Sequence, residues 1–82
     1  MKILVEIFVP VLAVTMEVYI PVQSPVYEAL ELLKKAVTEL SDGEFIADAA
    51  TTLCYRESGD IININQSVQE LELQNGSCLM LI

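Results

Sequence analysis

Few side chains in this sequence could do chemistry. Two are thiols, Cys54 and Cys78, twelve are carboxylates, and none is an imidazole. A thiol becomes a nucleophile when a base or a cluster of positive charge holds it as thiolate. Neither cysteine has such neighbours along the chain. Two thiols without a histidine do not make a zinc site of usual composition. Free thiols are expected rather than a disulfide, as in a reducing cytoplasm. Asp42 with Glu44, and Glu70 with Glu72, could chelate a hard cation. Neither pair has the spacing of a calcium loop, so both read as solvated loop charge. There is no Gly-rich phosphate loop. No catalytic, cofactor-binding or metal-binding residues are expected, and the chain is not expected to be an enzyme.

Charge narrows the partners. Twelve acidic and four basic residues give a net charge of −8. Such a surface repels phosphate backbones and anionic lipid heads, which argues against nucleic acid. A protein with a basic face is the better partner, because opposite charge speeds encounter. Acidity also keeps an apolar chain soluble, and that alone accounts for the composition equally well.

Eighty-two residues, 54% of them hydrophobic, suffice for one domain over 1–82 with a real core. Residues 7–16 carry no charge, but Glu6 and Glu17 bracket them. The run is too short to span a bilayer as a helix, and its flanks alternate as strands do. Neither a signal peptide nor direct membrane insertion is expected.

The elements that must position the outward side chains follow from period. Residues 2–9 are rich in β-branched and aromatic types. Ile3, Val5, Ile7 and Val9 share one face, taken as the core, and Pro10 ends the run. Residues 13–20 form a second strand, with Val14, Met16, Val18 and Ile20 inward and Thr15, Glu17 and Tyr19 outward. A hairpin is the simplest connection. Ser24-Pro25 predicts a helix start, with Ser24 as cap, and the helix runs to about Leu40. Val26, Leu30, Leu33, Val37 and Leu40 make its apolar stripe, widened by Ala29 and Ala36. Tyr27 and Leu32 are expected to border the core. Asp42-Gly43 supplies the stop.

Residues 44–51 read as a packed connection, with a helical turn left open. A third strand is expected at 52–57, a turn at 57–60, a short strand at 61–64, and a helical turn near 67–71. Asn75-Gly76 turns the chain into a last strand at 77–82. The pattern is α+β: a mixed sheet of four to five strands with one amphipathic helix on one face. Pattern alone leaves open whether the first and last strands are neighbours at the centre.

The ordered set resembles ubiquitin. Met1 to Phe8 resembles its opening strand, and Val14-Thr15-Met16-Glu17-Val18 its second strand in register. Leu53-Cys54-Tyr55, a glycine turn and Ile61-Ile62 are similar to its third and fourth strands, and Asn75-Gly76 with Cys78 to Ile82 to its last. The resemblance covers nearly the whole chain and implies the ubiquitin-like β-grasp fold. Within that superfamily the chain looks most like the small bacterial proteins of the YukD/EsaB type. That resemblance implies a cytoplasmic accessory component of type VII secretion of WXG-type substrates. Its partner would be a protein, such as a membrane component of the apparatus.

The chain departs from ubiquitin in a longer, alanine-rich connection after the helix, a more acidic surface, and a Leu81-Ile82 ending. No Gly-Gly occurs anywhere. Conjugation as a modifier, or sulfur transfer, is therefore not expected.

The alternation that buries one sheet face leaves Leu4 and Phe8 on the other. The same rule puts Cys54, Met80 and Ile82 outward. If the first, third and last strands are neighbours, Leu4, Phe8, Cys54 and Met80 form one exposed apolar patch. The resemblance implies that this face binds partners, as such patches commonly do, and Met suits adaptable surfaces. The alternative occupant is a second copy, in a homodimer.

Overall fold

Alternation along the first twenty residues becomes a hairpin. In the computed structural model, which describes residues 1–82, β1 spans Lys2–Val9 and β2 spans Val14–Pro21. They pair antiparallel throughout, from Lys2 opposite Pro21 to Val9 opposite Val14. A 3-10 turn, Pro10–Leu12, joins them, and left-handed Ala13 closes it by donating to the Pro10 carbonyl. Val5, Ile7, Val9 and Ile20 are buried as the period requires. Val14 is not. It lies at the hairpin end of an edge strand and is exposed.

Helix α1 spans Val26–Leu40. Its stripe buries Val26, Leu30, Leu33 and Val37. Leu40 ends the last turn and stays 75% exposed, contrary to the pattern. Ser24 does not cap the helix; Pro25 holds the cap position without a side-chain bond. The reason lies elsewhere in the chain. The N–H groups of Val26 and Tyr27 donate to the carbonyls of Gln66 and Ile64, both at 2.9 Å. Tertiary partners thus satisfy donors that a cap would otherwise serve. At the other end Asp42 and Gly43 are both left-handed, and the Gly43 N–H returns to the Thr38 carbonyl.

Residues 44–51 hold no helical turn. Phe45 is their one buried apolar anchor, its N–H donating to Ser41 Oγ at 2.9 Å. Asp48 and Thr51 then close a side-chain-bonded turn, Ala50 N–H to Asp48 Oδ1 and Asp48 N–H to Thr51 Oγ1.

Strand β3 is only Leu53–Tyr55, and β4 is Cys78–Leu81. The four-stranded sheet has the order β2-β1-β4-β3. First and last strands are central neighbours and parallel, with Ile7 opposite Leu79; β3 and β4 run antiparallel. The strand expected at 61–64 shrinks to one bridge, Ile61 opposite Cys54. Asn63 ends it by accepting the Asn65 N–H on its side chain and the Gln66 N–H on its backbone. Near 67–71 a single turn forms. Ser67 and Glu70 exchange side-chain-to-backbone bonds, the reciprocal pattern of a capping box. Its Val68 joins the core cluster that Ile7, Leu30, Leu53, Leu79 and Leu81 build between helix and sheet.

The Asn75-Gly76 turn also holds the sheet together. Asn75 Oδ1 accepts the Leu4 N–H at 2.8 Å, and the Gly76 N–H donates to the Leu4 carbonyl at 2.8 Å. Both bonds extend the β1–β4 ladder beyond the end of β4. Asn75→Ala removes one of them and should lower the unfolding free energy by about 1 kcal/mol. A chemical-denaturation midpoint measures it, and an unchanged midpoint would deny the bond a structural role.

Candidate interaction face

The sheet face away from α1 is a grid fixed by register. One row runs Thr15, Phe8, Met80, Cys54 and Ile61. The next begins Glu17, Glu6 and Cys78. Tyr19 lies opposite Leu4 in a third. Three of the four residues singled out from the sequence therefore share a row, and Leu4 does not. It is four residues from Phe8 along one strand, about 13 Å away, with outward Glu6 between them. The expected single patch is divided by acid.

Cys54 corrects the expectation further. It is 1% exposed and contributes almost no accessible surface. It sits between Met80 on β4 and Ile61 on the returning segment, a small side chain flanked in its row by two larger ones. Burial pushes its thiol pKa up. Ile61 is the exposed apolar end of that row. Sequence reasoning placed Ile61 in a strand but assigned it no face, because its side depends on a pairing that one bridge makes.

Phe8 and Met80 are each half-buried. Arg56 lies over the Phe8 ring, its guanidinium carbon 4.3 Å from the centroid. This cation–π contact sets a basic group on an aromatic ring of the face. It could not be read from spacing, because 48 residues separate the two. Glu6 and Glu17 stand directly opposite each other with no basic side chain bonded to either. Like charges in that position destabilise a strand pair.

Cys78 is exposed, and its Sγ–H donates to Glu6 Oε2 at 3.0 Å. That hydrogen bond, with some desolvation and the carboxylate charge, raises the thiol pKa; nearby Arg56 only partly opposes it. The bond favours thiol over thiolate, so the reactive form needs higher pH than an ordinary cysteine does. Glu6→Gln should shift the pH profile of Cys78 alkylation to lower pH. A profile unmoved by that change would exclude Glu6 as the cause.

On the opposite side of the molecule, Leu32 is 70% exposed and does not border the core as expected; Tyr27 is also exposed. The single α-helix is fifteen residues long, and no helix is long and apolar enough to cross a membrane.

One helix on a mixed sheet ordered β2-β1-β4-β3, with its first and last strands parallel at the centre, is the β-grasp arrangement. The chain has the ubiquitin-like β-grasp fold. No family model and no curated protein sequence matches it. Solved structures do. It is similar to the ubiquitin-like domain of the Mycobacterium tuberculosis type VII secretion protein EccD1, with TM-score 0.79 and 14% identity, over 100% of this chain and 98% of that one. It is also similar to the EccD5 ubiquitin-like domain from Mycobacterium xenopi, with TM-score 0.72 and 22% identity, over 100% and 93%. A chain of the MycP5-free ESX-5 inner membrane complex matches with TM-score 0.80 and 22% identity, over 99% of this β-grasp chain but 20% of its own length.

Proposed function

We propose that this chain is a non-conjugated ubiquitin-like interaction module of a type VII secretion apparatus. It acts without catalysis, on the cytoplasmic side, and binds a protein component of the membrane complex through the outer face of its sheet. The observation that carries the reading is the source of its structural neighbours. Two are ubiquitin-like domains of EccD proteins, and the third lies within an inner membrane complex. The accessory role of YukD/EsaB-type proteins is the finer form of the same reading.

The outer face fits a protein ligand. Phe8 and Met80 supply half-buried apolar surface, Ile61 extends it, and the Glu6–Glu17 pair invites a basic side chain. Bringing opposite charge to that pair would relieve a repulsion present in the free domain. A homodimer through this face would instead set acid against acid, because each copy carries −8.

The test is recovery of the tagged chain from its host, with and without denaturant, followed by mass spectrometry. The module reading expects a secretion-complex component that is lost when denaturant is present. A ladder of products that survives denaturant would mean covalent attachment and would end this reading.

A further inference from the structure

The sheet's two edges are finished differently. Beside β3, the segment 60–62 supplies partners. The Ile62 N–H donates to the Leu53 carbonyl at 3.0 Å and the Tyr55 N–H to the Asp60 carbonyl at 2.9 Å. Strand β2 has β1 on one side and no strand on the other.

Antiparallel alternation identifies the backbone groups left over. The Val22 N–H donates to the Met1 carbonyl, one step beyond the Lys2–Pro21 pair. By alternation Val14, Met16, Val18 and Ile20 exchange bonds with β1, and Thr15, Glu17 and Tyr19 direct N–H and C=O outward. Their opposite numbers agree. Leu4 and Glu6 donate away from β2, to Asn75 Oδ1 and the Ser77 carbonyl. An edge of eight residues with one charged side chain and a terminal proline is lightly guarded.

A cleft of about 300 Å3 runs along the helix side of this edge. Val18 and Ile20 of β2 and Ala29, Leu32 and Leu33 of α1 line it, and its one charged lining residue is Glu28. Leu32, which the core leaves exposed, borders it. The helix lysines, Lys34 and Lys35, line a different groove, with Ala47 and Asp48. The cleft is therefore apolar with an acidic border.

We propose that the β2 edge and this cleft are a second docking site, taking an extended partner segment of alternating apolar and basic residues as an added antiparallel strand. Residues directly opposite across such a pair share a face. The residue bonded to Glu17 therefore sets its side chain beside Glu17 on the outer face, where a basic group is favoured. Its neighbours in sequence project to the cleft side, where apolar groups are favoured. Added strands of this kind draw affinity from main-chain bonds and specificity from alternate side chains. A second copy of this chain fits poorly, since its own β2 carries Glu17 and its net charge is −8.

The test uses the full chain, labelled for NMR, and a capped Lys-Val-Lys-Val-Lys-Val-Lys peptide. At saturation, amide exchange at Thr15, Glu17 and Tyr19 should slow by roughly tenfold or more, while Met16 and Val18 stay as they were. The matching Glu-Val peptide should have no effect. A probe methylated on its lysine backbone nitrogens should not bind, because those donors face β2; one methylated on its valine nitrogens should bind normally. Glu17→Lys should weaken binding by roughly fivefold. Three results would each overturn the proposal: no protection at the three amides, equal binding of the lysine-methylated probe, or protection that rises with protein concentration alone and so puts a second copy on the edge.

Discussion

Leu79→Ala should lower the unfolding free energy by about 2–5 kcal/mol, the cost of emptying a buried leucine site. Leu79 is fully buried at the middle of the sheet, opposite Ile7 on one side and Tyr55 on the other. It belongs to the cluster that joins helix to sheet, so its removal leaves a gap among other buried apolar side chains. Single domains are stable by only about 5–15 kcal/mol, so this loss removes a large share. Urea unfolding should show a much lower midpoint with an unchanged slope. Leu40→Ala provides the contrast, with an effect within about 0.5 kcal/mol because Leu40 is exposed. Equal losses at the two sites would mean that Leu40 is packed into the core or that Leu79 is not.

The second large effect concerns binding. If the outer face binds the proposed partner, Phe8→Ser combined with Met80→Ser should weaken that association by about thirtyfold or more, as expected for paired hot-spot residues worth about 2 kcal/mol together. The two lie opposite each other on neighbouring strands and face away from the core, so the domain should remain folded. Arg56→Ala removes the group stacked on Phe8 and should cost less, about three- to fivefold, because the ring remains. Leu4→Ser, beyond the Glu6 row, should cost least. Titration calorimetry with the purified partner ranks the three variants. A Leu4 effect equal to that of the double variant would restore the undivided patch.

The reasons some features could be read from sequence, and others not, are physical. Alternation in 2–9 and 13–20 assigned inward and outward faces, Val14 at the exposed hairpin end excepted, because each strand pairs along its length. The stripe from Val26 to Val37 was legible because a helix repeats its face over several turns. Errors gather where a residue's fate depends on something distant. Ser24 loses its capping role because the carbonyls of Ile64 and Gln66 reach the helix start first. Cys54 faces outward as the period demands, yet Met80 and Ile61 flank it in its row, and only pairing reveals that. The division of Leu4 from Phe8 by Glu6 is the exception: it is local to one strand and follows from the same alternation. Arg56 meets Phe8 only because β3, β4 and β1 lie side by side. The open edge of β2 was invisible for the same reason, since strand order decides which strand is left without a partner.

If the outer sheet face carries the partner, its side chains must lose solvent access in the complex. Side-chain oxidation footprinting of the domain, alone and in complex, measures that directly, since Met80, Phe8 and Cys78 all lie on that face. All three should be protected in the complex, while Leu40, at the exposed end of the helix, should be oxidised as in the free domain. Unchanged oxidation of Met80 and Phe8 in a fully formed complex would contradict the account.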